Sequence, residues 1–193
     1  MPSDRRSAIL DAALTCFVQR GLTAASIEEV RAHSGASIGS IYHHFGGRDG
    51  LAGAVYVRAL ADYQAVLSST LAREGGAERG VQAAVVAHLR WCLLDRVEAA
   101  RFLVFCGDAA RSAAPSELAE HNRDFFVTVR AWWARHVAAG EVRDLDPNLL
   151  YALWLGPAQE YARVALAGRT TGDHSRATVQ LASGAWRALR AGE

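Results

Sequence analysis

Residues 37–48 read Ser-Ile-Gly-Ser-Ile-Tyr-His-His-Phe-Gly-Gly-Arg. Hydroxyls, a phenol and imidazoles can reach phosphate oxygens and base edges, and small residues let a helix enter a groove closely. The spacing predicts a short helix capped by Ser37, with Ile41 and Phe45 turned inward. Ser37, Ile38, Gly39, Ser40, Tyr42, His43 and His44 then stay outside, and the helix N-terminus adds a partial positive charge facing phosphate. Taken alone, the same cluster would also suit a solvated turn. Other chemistry has less support. The sequence has no nucleophile elbow, phosphate loop or pair of carboxylates at useful spacing, so neither enzymatic activity nor a cofactor is expected. Cys16, Cys92 and Cys106 are too few and too scattered for a disulfide framework or a zinc motif. His88, His121 and His136 show no ligand spacing, so no metal site is expected.

These side chains need elements to hold them. Ser26 with Glu29 forms a capping box, which starts a helix whose Ile27 and Val30 face inward. Gly35 supplies the permissive backbone for the turn into the second helix. Before this pair, Ile9, Leu10, Ala13, Leu14 and Phe17 form one helical face, ended by Gly21. After it, Tyr56, Leu60, Tyr63, Leu67 and Leu71 step along a long helix that gives way to a loop at Gly75-Gly76. Leu118, Asn122, Phe125, Val129, Trp132 and His136 form a further stripe, with Gly140 as its C-cap. Asp146 before Pro147 marks a helix start, Asp173 can cap the last helix, and Gly156-Pro157 predicts a kink or break in the helical run from Pro147 to Ala167. No stretch alternates with period two, so the architecture is all-α, with eight to ten helices.

In chain order, Ile9-Leu10-Asp11-Ala12-Ala13, Phe17, Arg20-Gly21, Ser26-Ile27, Val30, Gly35-Ala36-Ser37, Gly39-Ser40-Ile41-Tyr42-His43-His44-Phe45 and Arg48 with Leu51 form an ordered set. From Arg6 to about Leu60 the chain resembles the N-terminal DNA-binding domain of the TetR family of bacterial transcriptional regulators. The resemblance implies a three-helix helix-turn-helix domain over residues 1–50 and a helical ligand-binding and dimerisation domain over 51–193. It further implies that Tyr42 and His44 contact phosphates and that Ser26 caps its helix beside the DNA backbone. Ser37, Ile38, Ser40 and His43 would face the bases, and Arg48 takes the place of a phosphate-binding lysine. Four positions depart from the pattern. Ile38 replaces a residue that is often basic or polar, which removes a charge and allows a thymine methyl contact. Arg31 stands where alanine is usual and has no assigned role. Ala36 thins the packing of the turn. Gly50 weakens the first turn of the fourth helix.

Bulk composition bounds the rest. The chain has 193 residues, 51% hydrophobic and 21% charged, enough for one domain or two small ones. Net charge is +1, which names no partner, and all 21 basic residues are arginine. Arg5 and Arg6 read either as solvated charge or as an arm toward DNA. No apolar run nears the roughly 18 residues needed to span a membrane, and no leader precedes a cleavage site, so a cytoplasmic protein is expected.

Beyond the DNA-binding segment, aromatic residues spread over several helices can be core or can line one cavity. The candidates are Trp91, Phe102, Phe105, His121, Phe125, Trp132, Trp154 and Tyr161. Polar groups within their reach are Arg101, Asp108, His121, Asn122, Arg130 and Glu160. A small, mostly apolar or aromatic ligand is expected. The last helices present apolar faces for a homodimer through Leu150, Leu153, Tyr161, Leu181, Ala182, Ala185, Trp186 and Leu189. The reading is a ligand-responsive regulator, a repressor, that binds palindromic double-stranded DNA as a homodimer. The alternatives are a DNA-bound structural or adaptor protein without a small ligand, and a helical enzyme with a vestigial DNA domain.

Overall fold

The structure, a computed structural model, describes residues 2–170 and 173–192. Among the described residues it has ten α-helices, a π-helical turn at Trp91–Asp95 and no strand beyond one isolated bridge. The helices are α1 (Pro2–Arg20), α2 (Ile27–Ser34), α3 (Ile38–Phe45), α4 (Arg48–Arg73) and α5 (Ala77–Arg90). After the π turn come α6 (Val97–Arg111), α7 (Pro115–Ala138), α8 (Pro147–Trp154), α9 (Gly156–Leu166) and α10 (Ser175–Leu189). The all-α expectation holds, and none of these helices is long and apolar enough to cross a membrane.

The chain packs as two compact units. The first comprises Met1–Ala61 and Glu98–His121. Its core joins Ile9, Leu10 and Phe17 of α1, Val30 of α2, Ile41 of α3 and Leu51 and Val55 of α4. Phe102 of α6 completes it, its ring 5.8 Å from that of Phe17. Arg58 on α4 ties back to α1, with an ion pair to Asp11 at 2.8 Å. Arg5 and Arg6 lie within α1, so the described residues hold no separate extended arm. The Arg6 guanidinium sits over the Phe45 ring, 5.3 Å from its centroid.

The second unit comprises Asp62–Val97 and Asn122–Glu193. Here α10 packs along α5 and against α8. Trp132 and Trp133 of α7 and Trp154 of α8 are buried together, and Gly80 of α5 lies so close to the Trp132 ring that no side chain would fit there. The Trp154 indole N–H donates to the Val81 carbonyl at 3.0 Å. The helical run from Pro147 breaks between Trp154 and Gly156, as Pro157 demands. A short antiparallel bridge pairs Val142 with Arg190 and closes the chain end onto the α7–α8 connection.

His88 of α5 is buried in this unit. Its Nδ1 lies 2.8 Å from the Tyr63 hydroxyl and its Nε2 3.9 Å from the Cys92 sulfur, and the ring also hydrogen-bonds the Ala158 backbone. The Tyr63 O–H therefore donates to a neutral ring. Burial pushes the imidazole down from 6.5 to about 4. The unfolded chain takes up this proton first as pH falls, so the stabilisation is complete above 6.5 and is lost on the way down to about 4. The loss should amount to about 3 kcal/mol. Denaturant titrations of the parent and His88→Gln at a series of pH values test this. The difference between the two should shrink across that window, and a constant difference would disprove the assignment.

Gly50 has a second reason to be glycine besides tolerance. A Cβ there would run into the Phe45 carbonyl, whereas Gly39 on α3 has open space around it. Helix propensity alone favours alanine at both by about 1 kcal/mol. Gly39→Ala should follow propensity and keep or raise the denaturation midpoint. Gly50→Ala should lower stability by about 1–3 kcal/mol, because the obstacle is backbone and cannot rotate away.

Candidate functional site

Local chemistry fixes the α2–α3 pair. The Ser26 hydroxyl accepts the Glu29 N–H at 3.2 Å, and Glu29 Oε2 accepts the Ser26 N–H at 2.9 Å. These bonds hold the Glu29 carboxyl below its ordinary value. Gly35 adopts φ +66°, and its N–H closes α2 on the Arg31 carbonyl. Ser37 then caps α3, accepting the Ser40 N–H at 3.1 Å. Gly46 ends α3 in a left-handed conformation, with its N–H on the Tyr42 carbonyl. Ser26, Gly35 and Ser37 take the places the sequence led us to expect, and the Gly46 cap adds to them.

Burial divides α3 cleanly. Ile41 and Phe45 are buried, while Ile38 is 40% and Tyr42 52% exposed. Gly39, His43 and His44 are also exposed, and Ser40 is half-buried. The structure thus brings Ser37, Ile38, Gly39, Ser40, Tyr42, His43 and His44 onto one short helix with its opposite side anchored. The His43 and His44 rings lie edge to face, 5.3 Å apart. Not all of these groups are equally free. The hydroxyls of Ser26 and Ser37 are engaged in caps. Arg48 donates to the Thr23 carbonyl at 3.0 Å and lies 3.7 Å from the Asp49 carboxylate, so it staples the turn before α2.

Two neighbours were not singled out as candidates by spacing. A polar groove of about 550 Å³ runs between residues 23–28 and the α3–α4 turn, and Glu28 lines it together with Tyr42 and Arg48. An acid there repels phosphate or accepts from a base amine. Arg31 follows Glu28 by three residues on α2, and its exposed guanidinium has no partner among the described residues. The sequence signal was present, since i, i+3 residues share a helix face, but nothing in the pattern showed which face points outward.

The second unit holds an apolar cavity of about 640 Å³, lined by α4, α5, α7 and α8. Of the eight expected pocket residues, Phe125 and Trp154 line it. The others lie elsewhere. Phe102 belongs to the core of the first unit, and Phe105 and His121 are exposed in that unit. Trp91 is buried and donates its indole N–H to Asp62 at 2.9 Å. Trp132 is buried against its tryptophan neighbours, and the Tyr161 hydroxyl is bonded to His174 at 2.9 Å. Of the polar candidates only Arg130 lines the cavity, while Asn122 is bonded to Gln64 and Glu160 to Arg163. Residues such as Phe126, Val129, Asn148 and Tyr151 complete the lining. Phe125 and Val129 were legible as one stripe, but a stripe does not distinguish core from cavity wall.

The expected dimer residues divide too. Ala182, Ala185 and Leu189 are already buried in their own chain, where α10 packs on α5. Within one chain they are core positions, and an apolar stripe at helical spacing cannot say whether its partner is the same chain or another. Leu150 lines the cavity. Leu153, Tyr161, Leu181 and Trp186 remain half-buried and reach the surface, as do Ser183 and Gly184.

Comparison with known proteins places the helix-turn-helix. Residues 9–55 match the family model for bacterial regulatory proteins of the tetR family. The HTH-type transcriptional repressor KstR2 of Rhodococcus jostii is 39% identical over 49 residues, 25% of this chain and 24% of that protein. The HTH-type transcriptional regulator SrpR of Pseudomonas putida is 35% identical over 86 residues, 45% of this chain and 38% of that protein. The chain therefore matches well under half the length of these two relatives. In fold, a TetR family transcription regulator from Marinobacter aquaeolei superposes with a TM-score of 0.80, covering 98% of this chain and 97% of that one. Sequence identity there is 16%, so this likeness speaks for the fold alone.

Proposed function

We propose that the protein is a ligand-responsive transcriptional regulator, a repressor acting in the cytoplasm, a reading supported by the match of residues 9–55 to the tetR family model. It binds a palindromic operator as a homodimer, with residues 1–50 serving DNA and 51–193 serving ligand and dimer. The observation that carries this reading is α3, anchored by Ile41 and Phe45 and exposing Tyr42, His43 and His44. A relative named as a repressor supports the sign of regulation. Two α3 helices of a dimer would enter successive major grooves about 34 Å apart. Ligand and operator are linked: a ligand that prefers the DNA-incompetent state lowers operator affinity, and operator lowers ligand affinity by the same factor.

Roles on the interface separate by assay. Tyr42→Ala and His44→Ala should weaken binding to every sequence, because phosphate contacts carry little sequence information. Ser40→Ala and His43→Ala should instead change preference among operators by about 1–3 kcal/mol at the contacted pair. Arg31 supplies a fixed charge beside a helix that has none, so Arg31→Ala should reduce the slope of log affinity against log salt by about 1. Gel shifts over operator variants and salt series read all three. Parental binding by the Tyr42 and His44 variants would reject the interface.

The homodimer uses the surface that α9 and α10 leave open, with Tyr161, Leu181 and Trp186 around the small pair Ser183-Gly184. A Cβ at Gly184 meets only the tip of Arg187, so a larger residue fits the single chain. Gly184→Arg should fold as the parent does, sediment as a monomer and lose most operator affinity. A monomer that binds full operator with parental affinity would refute this interface.

A further inference from the structure

Four arginines of the second unit pair with acids. Arg79 lies 3.8 Å from Glu74, Arg90 3.0 Å from Asp95, Arg96 3.1 Å from Asp62, and Arg163 2.6 Å from Glu160. Arg130, an exposed residue, has no such acid among the described residues and borders a cavity. Its Nε donates to the Phe126 carbonyl one turn back at 3.1 Å, which fixes the stem of the guanidinium along α7. No acid pairs with it among the described residues. Both terminal nitrogens are left to donate, and Arg130 lines the apolar cavity.

The rest of that lining sharpens the point. No Asp or Glu lines the cavity, and Arg130 is its single charged residue. Leu67, Leu71, Phe125, Val129, Trp154 and Leu155 supply apolar wall. Asn148 and Tyr151 add an amide and a phenol. Asp146, next to the lining residue Pro147, spends an oxygen on the Asn148 N–H at 2.8 Å as the cap of α8. A planar guanidinium with two free donors matches a carboxylate bidentately, and an apolar wall without a counter-anion leaves that charge for the ligand to supply. A cavity of about 640 Å³ takes a molecule of ordinary ligand size.

We propose that this cavity binds a monocarboxylate with an apolar body, its carboxylate on Arg130 and its body against Phe125, Val129 and Trp154. The proposal rests on the reading of the second unit as the ligand-binding part and names the ligand class that the site selects. A cationic ligand meets repulsion here, and a neutral one forgoes the paired donors.

Decanoate, decanol and decylamine share one apolar body and differ in head group. Trp154 lines the cavity, so tryptophan fluorescence can follow their binding, with calorimetry to confirm the affinities. The parent should bind decanoate about 10-fold or more tighter than decanol, with decylamine weakest. Arg130→Gln should bring decanoate down to the level of decanol and leave decanol unchanged, while Arg130→Lys should keep part of the preference. Equal binding of decanoate and decanol by the parent overturns the carboxylate assignment but leaves a ligand cavity standing. Binding of none of the three, by protein that still retards operator DNA, overturns the cavity as a ligand site. The regulator reading itself stands or falls separately, on whether Tyr42→Ala binds DNA as the parent does.

Discussion

Phe45 is the residue on which the recognition surface depends. Its ring is buried in the core of the first unit, with the Arg6 guanidinium above it. Its carbonyl closes so tightly on Gly50 that no side chain can stand between α3 and the start of α4. With Ile41 one turn earlier also buried, the inward side of an eight-residue helix is pinned at two points. A helix that short has almost no stability of its own, because nucleation outweighs the few bonds it gains. Tertiary anchoring and two end caps therefore decide whether α3 exists. Once it does, the outward direction of Tyr42, His43 and His44 follows without further specification.

The caps around it show what sequence can carry. Ser26, Glu29, Gly35, Ser37 and Asp146 act through groups one to four residues away, and each took the role its spacing implied. The break at Leu155, just before Gly156-Pro157, is equally local. Asp173 accepts the Ser175 N–H at 2.8 Å, although His174 stands at the cap position. Gly50 marks the limit of such reasoning. Propensity rates it as a weakness, and only the approach of a carbonyl from the preceding helix turns it into a requirement.

Where the partner is distant in sequence, type and spacing stop discriminating. Ala182, Ala185 and Leu189 form a clean apolar stripe, and so would residues of an interface between chains. In the single chain they are buried, on a helix that packs on α5 and α8. The aromatic set shows the same limit more sharply. Trp91 and Trp132 carry the same side chain as Trp154, yet all three are buried and only Trp154 also borders the apolar cavity. Volume and hydrophobicity are equal in the two cases, and what differs is whether the opposite wall is filled. Composition along one helix holds no record of that.

Polar groups separate structure from function in both units, by whether their hydrogen bonds are already made. Ser26, Ser37 and Arg48 lie at the starts of α2, α3 and α4 around the helix-turn-helix, but their bonds go to Glu29, Ser40 and Thr23. They set positions, while the phenol and imidazoles of α3 remain open to a partner. The second unit repeats the division. His88, Asn122, Tyr161 and Glu160 are bonded within the chain. Cys92 is sealed by burial, which pushes its thiol up to about 12 and leaves it without the thiolate that redox chemistry needs. Arg130 keeps two donors beside an apolar wall. A buried donor costs free energy comparable to a hydrogen bond when nothing accepts it, so open donors survive where solvent or a ligand completes them. The unspent groups of each unit, rather than its conspicuous ones, thus mark where a second molecule belongs.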